Sequence, residues 1–213
     1  MGTWAIHLDL QIHYQDDDGT VAPRQITVKS VSLDAEGQPA ELAAHCDLTG
    51  SFRRFARERI TACHDPLSGE PVPDLPALLR QSYARSRAGR LEALQNDLAD
   101  EITVLLHLGR ADGVLQQREK ELIASYLCER QQASDPLGSL PVLQLAAQIG
   151  WLEVPSRAAF ETAAQQLAAA AAQQLQPLYA LCVELADVRE AREGDEQPAL
   201  DHLQACWFPG AAL

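Results

Sequence analysis

The segment Arg53-Arg54-Phe55-Ala56-Arg57-Glu58-Arg59-Ile60 packs four arginines and one acid into eight residues of a chain whose formal net charge is −13. Guanidinium groups stay protonated at physiological pH and grip carboxylate or phosphate oxygens bidentately. Crowding them costs self-repulsion, which an anionic partner or nearby carboxylates must offset. In an extended strand Arg53, Phe55, Arg57 and Arg59 share one face, and Arg54, Ala56, Glu58 and Ile60 the other. Two readings follow. Arg53, Arg57 and Arg59 hold an anionic ligand, or the arginines pair with Asp47, Glu58 or acids of the second half of the chain.

Other polar constellations carry weaker chemistry. His45 has the parity opposite to Leu42, Ala44, Cys46 and Leu48, so it leaves the apolar face, toward a ligand or toward water. His45-Cys46 and Cys63-His64 offer zinc-ligand types. Neighbours along a strand point to opposite faces, however, so both members of a pair cannot readily reach one ion. Asp112 and Glu119 carry hard carboxylate oxygens of the kind that hold a divalent cation. The competing reading is a helical corner in which Gly113 ends one helix and the acids favour the start of the next. Asp16-Asp17-Asp18-Gly19 reads as a hairpin turn rather than a calcium loop, because no Glu closes it near residue 25. The chain has no nucleophile elbow, phosphate-cradling Gly-Lys-Ser/Thr loop, His-Glu-x-x-His or glycine-rich dinucleotide fingerprint, so binding is expected rather than catalysis.

The arginine segment needs a sheet to position it. Residues 4–14 alternate strictly, with Trp4, Ile6, Leu8, Leu10, Ile12 and Tyr14 on one parity; that is a half-buried strand. The turn around Gly19 leads to a return strand at 24–28, and a turn around Gly37 leads to a strand at 42–48. The arginine segment follows, then a short strand at 60–63. Five short strands at this spacing predict a small, strongly bent antiparallel barrel. Pro71, Pro73 and Pro76 punctuate the chain as a joint.

Beyond the joint the period becomes helical. A linker helix is expected over 75–87, and Leu91, Leu94, Leu98, Ile102, Leu105 and Leu106 predict one amphipathic helix over roughly 90–110, capped by Gly113. Further helices are expected over 116–131, from Pro141 through Ile149, from Ser156 to about Gln176, over 178–188 after a break at Pro177, and over 198–206. Six or seven helices with short connections make an all-α bundle.

Composition bounds the partners. The 213 residues are 46% hydrophobic, enough for one large domain or two small ones. Residues 1–94 carry 10 Lys/Arg against 13 Asp/Glu, and residues 95–213 carry 7 against 17. So acidic a chain is a poor generic binder of nucleic-acid backbone, and any such contact has to be local, at the arginines. Five cysteines at wide spacing inside apolar runs point to buried thiols in a reducing compartment. No apolar run reaches membrane-spanning length, and the first residues lack the basic-then-apolar layout of a signal peptide. A cytoplasmic location is the expectation.

Two family resemblances arise from these residues. Ile12-His13-Tyr14, Gly19, Arg24, Leu42-Ala43-Ala44-His45-Cys46, Arg53-Arg54-Phe55, Arg59-Ile60 and Asp65 to Glu70 together resemble the WYL domain over roughly residues 4–73. The resemblance implies a bacterial Sm/SH3-like β-barrel of ligand-sensing regulators in stress and phage defence. It implies that Arg53, Phe55 and Arg59 line an anion-facing pocket, with His45 in the place of a family Tyr and with Tyr14, Arg24 and Arg57 beside them. The chain departs from the pattern at Ala40 and Glu41, where the name-giving Trp and Tyr would stand. Leu105 to Val114, with Glu119 and Leu122-Ile123, resembles the first repeat of a tellurite-resistance TerB-like domain, over about 91–208. That implies an all-helical fold, with Asp112 and Glu119 as its suspected metal positions. Leu185-Ala186-Asp187-Val188, followed by Glu190, Glu193 and Glu196, reads as a degenerate second copy.

The resulting expectation is an α+β chain in three parts: a WYL-like barrel at 1–73, a linker helix at 74–90 and a TerB-like all-α domain at 91–213. Its function would be non-enzymatic sensing of an anionic ligand, a nucleotide or oligonucleotide, with the helical half available to a protein partner. The alternative is a metal-binding scaffold of a tellurite or metal-stress response. Oligomeric state is open.

Overall fold

The computed structural model describes residues 2–110, 114–134, 140–188 and 196–209. The chain divides into two compact units, Met1–Ala93 and Leu94–Leu213.

In the first unit a five-stranded antiparallel sheet holds β1 (Thr3–Gln15), β2 (Val21–Leu33), β3 (Pro39–Cys46), β4 (Ser51–Ala56) and β5 (Ile60–His64). The spatial order is β4-β3-β2-β1-β5, so four strands meander and the fifth returns to the free side of β1. Alternation decides which face is buried: Ile6, Leu10, Ile12 and Tyr14 of β1, Ile26, Val28 and Val31 of β2, Leu42, Ala44 and Cys46 of β3, and Phe55 of β4 form one core. The helix α1 (Leu75–Arg85) adds Leu75 and Leu79 to that core. Each large apolar side chain buried there contributes roughly 1.5–3 kcal/mol. Asp74 starts α1 by accepting the Ala77 N–H at 2.8 Å.

The sheet is not flat. Register shifts between Ala5 and Leu8 of β1, and between Val28 and Ser30 of β2, mark bulges that bend both long strands. The bend brings Phe55 of β4 onto Tyr14 of β1, edge to face, with ring centroids 5.0 Å apart. Three strand spacings would separate these strands by about 14 Å in a flat sheet. The buried face therefore curls round on itself.

The second unit is helical. Its helices are α3 (Ala99–Gly109), α4 (Gln117–Ser134), α5 (Val142–Ile149), α6 (Arg157–Leu167), α7 (Ala172–Asp187) and α8 (Glu196–Trp207), preceded by α2 (Arg87–Asp97), which begins in the first unit. α3 is the most buried, with Ile102, Val104, Leu105, Leu106 and Leu108 all in the core, and it packs on α6 and α7. Several buried polar groups find partners: Trp207 Nε1 donates to the Ala164 carbonyl at 2.8 Å, and Glu101 accepts from the Tyr126 hydroxyl at 2.6 Å and from Arg130 at 2.9 Å.

The helix boundaries differ from the sequence expectation at four places. The run expected over 90–110 is two helices, because Leu98 leaves helical geometry (φ −112°, ψ 25°). The chain also turns extended at Ser86 (ψ 160°), so α1 stops at Arg85. The long Ala/Gln helix ends at Leu167 and a new one starts at Ala172. Pro177, expected to break a helix, lies inside α7. The alanines between α6 and α7 follow the last buried stripe of α6, formed by Phe160, Ala163 and Ala164. Propensity alone does not hold a helix without a packed face. Pro177 is the sixth residue of α7, past the first turn, where it removes the N–H that would reach the Gln173 carbonyl; buried Leu175, Leu178 and Leu181 flank it and the helix runs through.

Candidate functional site

The candidate site gathers where β1 and β2 turn and β4 runs into β5. Gly19, at φ 83°, closes the β1–β2 turn, where the Asp16 N–H donates to the Thr20 carbonyl at 2.9 Å. This tight turn fixes Asp16 and Asp17 at the end of the sheet. Arg24 lies on the buried face of β2, opposite Ile12, and is only 9% exposed. Its guanidinium pairs with the Asp16 carboxylate, while its Nε has no partner.

The arginine segment does not stay extended. The strand stops at Ala56, and Arg57–Arg59 forms a 3₁₀ turn before β5. This corrects the expected single face of Arg53, Phe55, Arg57 and Arg59. Arg53 sits on the inner face opposite Ala44, with its guanidinium carbon 6.0 Å from the Phe55 ring centre. Arg59 lies over the Tyr14 ring at 5.3 Å and donates to Asp17 Oδ1 at 2.5 Å. Cation–π contact and ion pairing together hold Arg59, and the Asp17 hydrogen bond pushes its already high pKa further up. Tyr14, buried between Arg59 and Phe55, links the two arginines through their rings.

Arg57 is exposed on the 3₁₀ turn, and neither it nor Arg53 has a carboxylate partner among the described residues. Arg54 turns outward and pairs with Glu41 at 3.0 Å. His45 also stands on the outer face, opposite Phe52 and 3.6 Å from Asp47. It is therefore separated by the sheet from Arg24, Arg53 and Tyr14. Cys46 and Cys63 are buried in the core, where desolvation pushes the Cys63 thiol up to about 11.

In the helical unit, Asp112 lies outside the described residues, as do Gly113, Glu190 and Glu193. Glu119 is buried, and its Oε2 accepts the Gln116 N–H at 2.6 Å. That is the return half of a capping box at the start of α4. Arg110, from the same motif, donates to the carbonyls of Gly150 at 2.9 Å and Leu152 at 2.8 Å, tying off the end of α5. Among the described residues no group of three His, Cys, Asp or Glu side chains is placed to hold a metal ion. No helix among them is long and apolar enough to cross a membrane.

Sequence reasoning missed two parts of this surface. Asp16 and Asp17 were read as turn residues, yet they also neutralise Arg24 and Arg59. Arg80, Arg85, Arg87 and Arg90 fall in a stretch from Leu75 to Leu91 that has no acid; that charge asymmetry was the available signal. No protein-family model matches this chain, and no curated protein or solved structure matches it either.

Proposed function

We propose that the first unit is an Sm/SH3-like ligand-sensing module that binds an anionic ligand, a nucleotide or oligonucleotide, at Arg53, Arg57 and Arg59. The barrel reading draws on the four-strand meander, the 3₁₀ turn and the return of β5 beside β1, with the Tyr14–Phe55 contact as its curl. The observation that carries the ligand reading is the state of the arginines. Arg53 and Arg57 lack carboxylate partners among the described residues of a chain where acids outnumber bases by 30 to 17, and Arg59 is held by an aspartate that is 98% exposed.

Such an aspartate is a weak, displaceable counterion, because exposed ion pairs are screened and gain little. An arriving phosphate displaces Asp17 from Arg59 and recruits Arg53 and Arg57, while the buried rings of Phe55 and Tyr14 support the Arg53 and Arg59 guanidinium groups. The event at this site is binding, and the helical unit is the part that reports it to a partner. Leu143, Trp151 and Val154 give that unit exposed apolar surface for the purpose.

Fluorescence polarisation with short single-stranded oligonucleotides and with cyclic nucleotides tests the reading. Saturable binding that weakens steeply with salt, and that Arg53→Ala and Arg57→Ala each reduce, is expected. Absence of saturation, or binding indifferent to both substitutions, rejects it.

A further inference from the structure

A cavity of about 560 Å³ opens elsewhere on the first unit, lined by Ala5, Ile6 and His7 of β1 and by Ser82, Arg85, Ser86 and Arg87 of the α1–α2 corner. No acid lines it. Arg85 and Arg87 are exposed and make no ion pair or hydrogen bond among the described residues. Glu92, the first acid after Asp74, accepts the Tyr83 hydroxyl at 2.6 Å. Like Arg53 and Arg57, these two cations have no carboxylate partner among the described residues.

The donors are of one kind. Lys29 Nζ lies 2.9 Å from His7 Nδ1. An ammonium only donates, so Nδ1 accepts and the ring's proton resides on Nε2 as a donor. The Ser86 hydroxyl accepts the Gly89 N–H at 3.1 Å and keeps its own proton free to donate. The corner is also rigid: a Cβ on Gly89 would come within 2.1 Å of the Tyr83 carbonyl oxygen, so the two helices meet there backbone to backbone. Trp4, stacked on Tyr83 at 5.0 Å, fixes β1 against the corner.

We propose that this corner is a second anion site, specific for a phosphate monoester of small-molecule size. Two guanidinium forks, an imidazole N–H and two hydroxyls supply more donors than the two oxygens of a carboxylate can accept, whereas a phosphate presents three oxygens to such a set. The volume exceeds that of phosphate and lies in the range of small-ligand pockets, with Ala5 and Ile6 as apolar wall for an organic group. The site uses neither Arg53 nor Arg57, so it stands or falls separately from the ligand site above.

Amide and ring NMR spectra of the full chain, titrated at constant ionic strength with inorganic phosphate, with AMP and with acetate, test it. Saturable shifts at His7 and at Ser86–Ala88 are expected with phosphate, and tighter ones with AMP. The Arg85→Ala/Arg87→Ala double variant weakens AMP binding by about ten-fold or more, while Arg53→Ala leaves these shifts unchanged. Arg85→Gln/Arg87→Gln, which keeps the side-chain bulk, behaves like the alanine pair. Shifts that acetate reproduces, an AMP affinity no better than that of phosphate, or a response retained in both double variants overturns the assignment.

Discussion

Tyr14 and Phe55 belong to strands separated by two others, yet their rings meet edge to face at 5.0 Å. This contact turns a meander into a cup, and it sets Arg53 and Arg59 above the two rings. Replacing Phe55 by Ala removes a fully buried ring and leaves a cavity that the bent sheet cannot fill. The expected cost is about 3–5 kcal/mol, read from urea denaturation. A loss under about 1 kcal/mol would show that the curl does not depend on this contact.

Asp17 competes with any incoming anion for Arg59. The Asp17→Asn variant therefore binds an oligonucleotide about two- to five-fold more tightly than the parent chain, with the gain largest at low salt. Unchanged or weaker polarisation titrations would remove Asp17 from the site.

Tyr126 donates to Glu101 inside the helical unit, and burial first, then that hydrogen bond, pushes its phenol well above the ordinary value of 10. Because the folded phenol holds its proton more tightly than the unfolded one, this contribution is complete below pH 10 and progressively lost as pH rises beyond it. Tyr126→Phe should cost about 1–3 kcal/mol at neutral pH by leaving the Glu101 carboxylate one donor short. It should also flatten the alkaline limb of the stability curve. Thermal melts at neutral and alkaline pH measure both, and an unchanged alkaline limb contradicts the assignment.

Asp65 shows the opposite sign. Its carboxylate accepts the N–H groups of Ser68 and Leu67 at 2.8 and 2.9 Å, which holds it below its usual value of 3.8. The contribution is full above that value and fades as pH falls through the lowered one. Asp65→Asn should therefore narrow the difference in melting temperature between mildly and strongly acidic buffer. An identical acid limb in both proteins would refute the linkage.

The sequence exposes those parts of this fold that repeat. Strict alternation from Trp4 to Tyr14 located β1, and glycines at 19 and 37 located its neighbours' turns. A strongly bent sheet was expected from five short strands, but the places where it bends were hidden, because bulges at Ala5–Leu8 and Val28–Ser30 leave no mark on a two-residue period. For the same reason Arg57 and Arg59 were placed on a strand face: three polar residues between strands read equally as strand or as a 3₁₀ turn. Leu91, Leu94 and Leu98 keep helical spacing, so the break at Leu98 is equally silent. At Pro177 the residue type misled, since the buried leucines on both sides of it, Leu175, Leu178 and Leu181, keep the helix going past the lost N–H. Of the candidate site, the arginines were readable from charge alone. Their counterions were not, because Asp17 meets Arg59 across 42 residues.

The stack of Trp4 on Tyr83 gives this chain an internal lamp. Its three indoles sit in unlike surroundings: Trp207 is buried, Trp151 is 88% exposed and Trp4 lies flat against a phenol ring. With Trp151 and Trp207 changed to Phe, all indole emission would come from the α1–α2 corner. Occupancy of that corner then becomes visible by its colour and brightness, without any label.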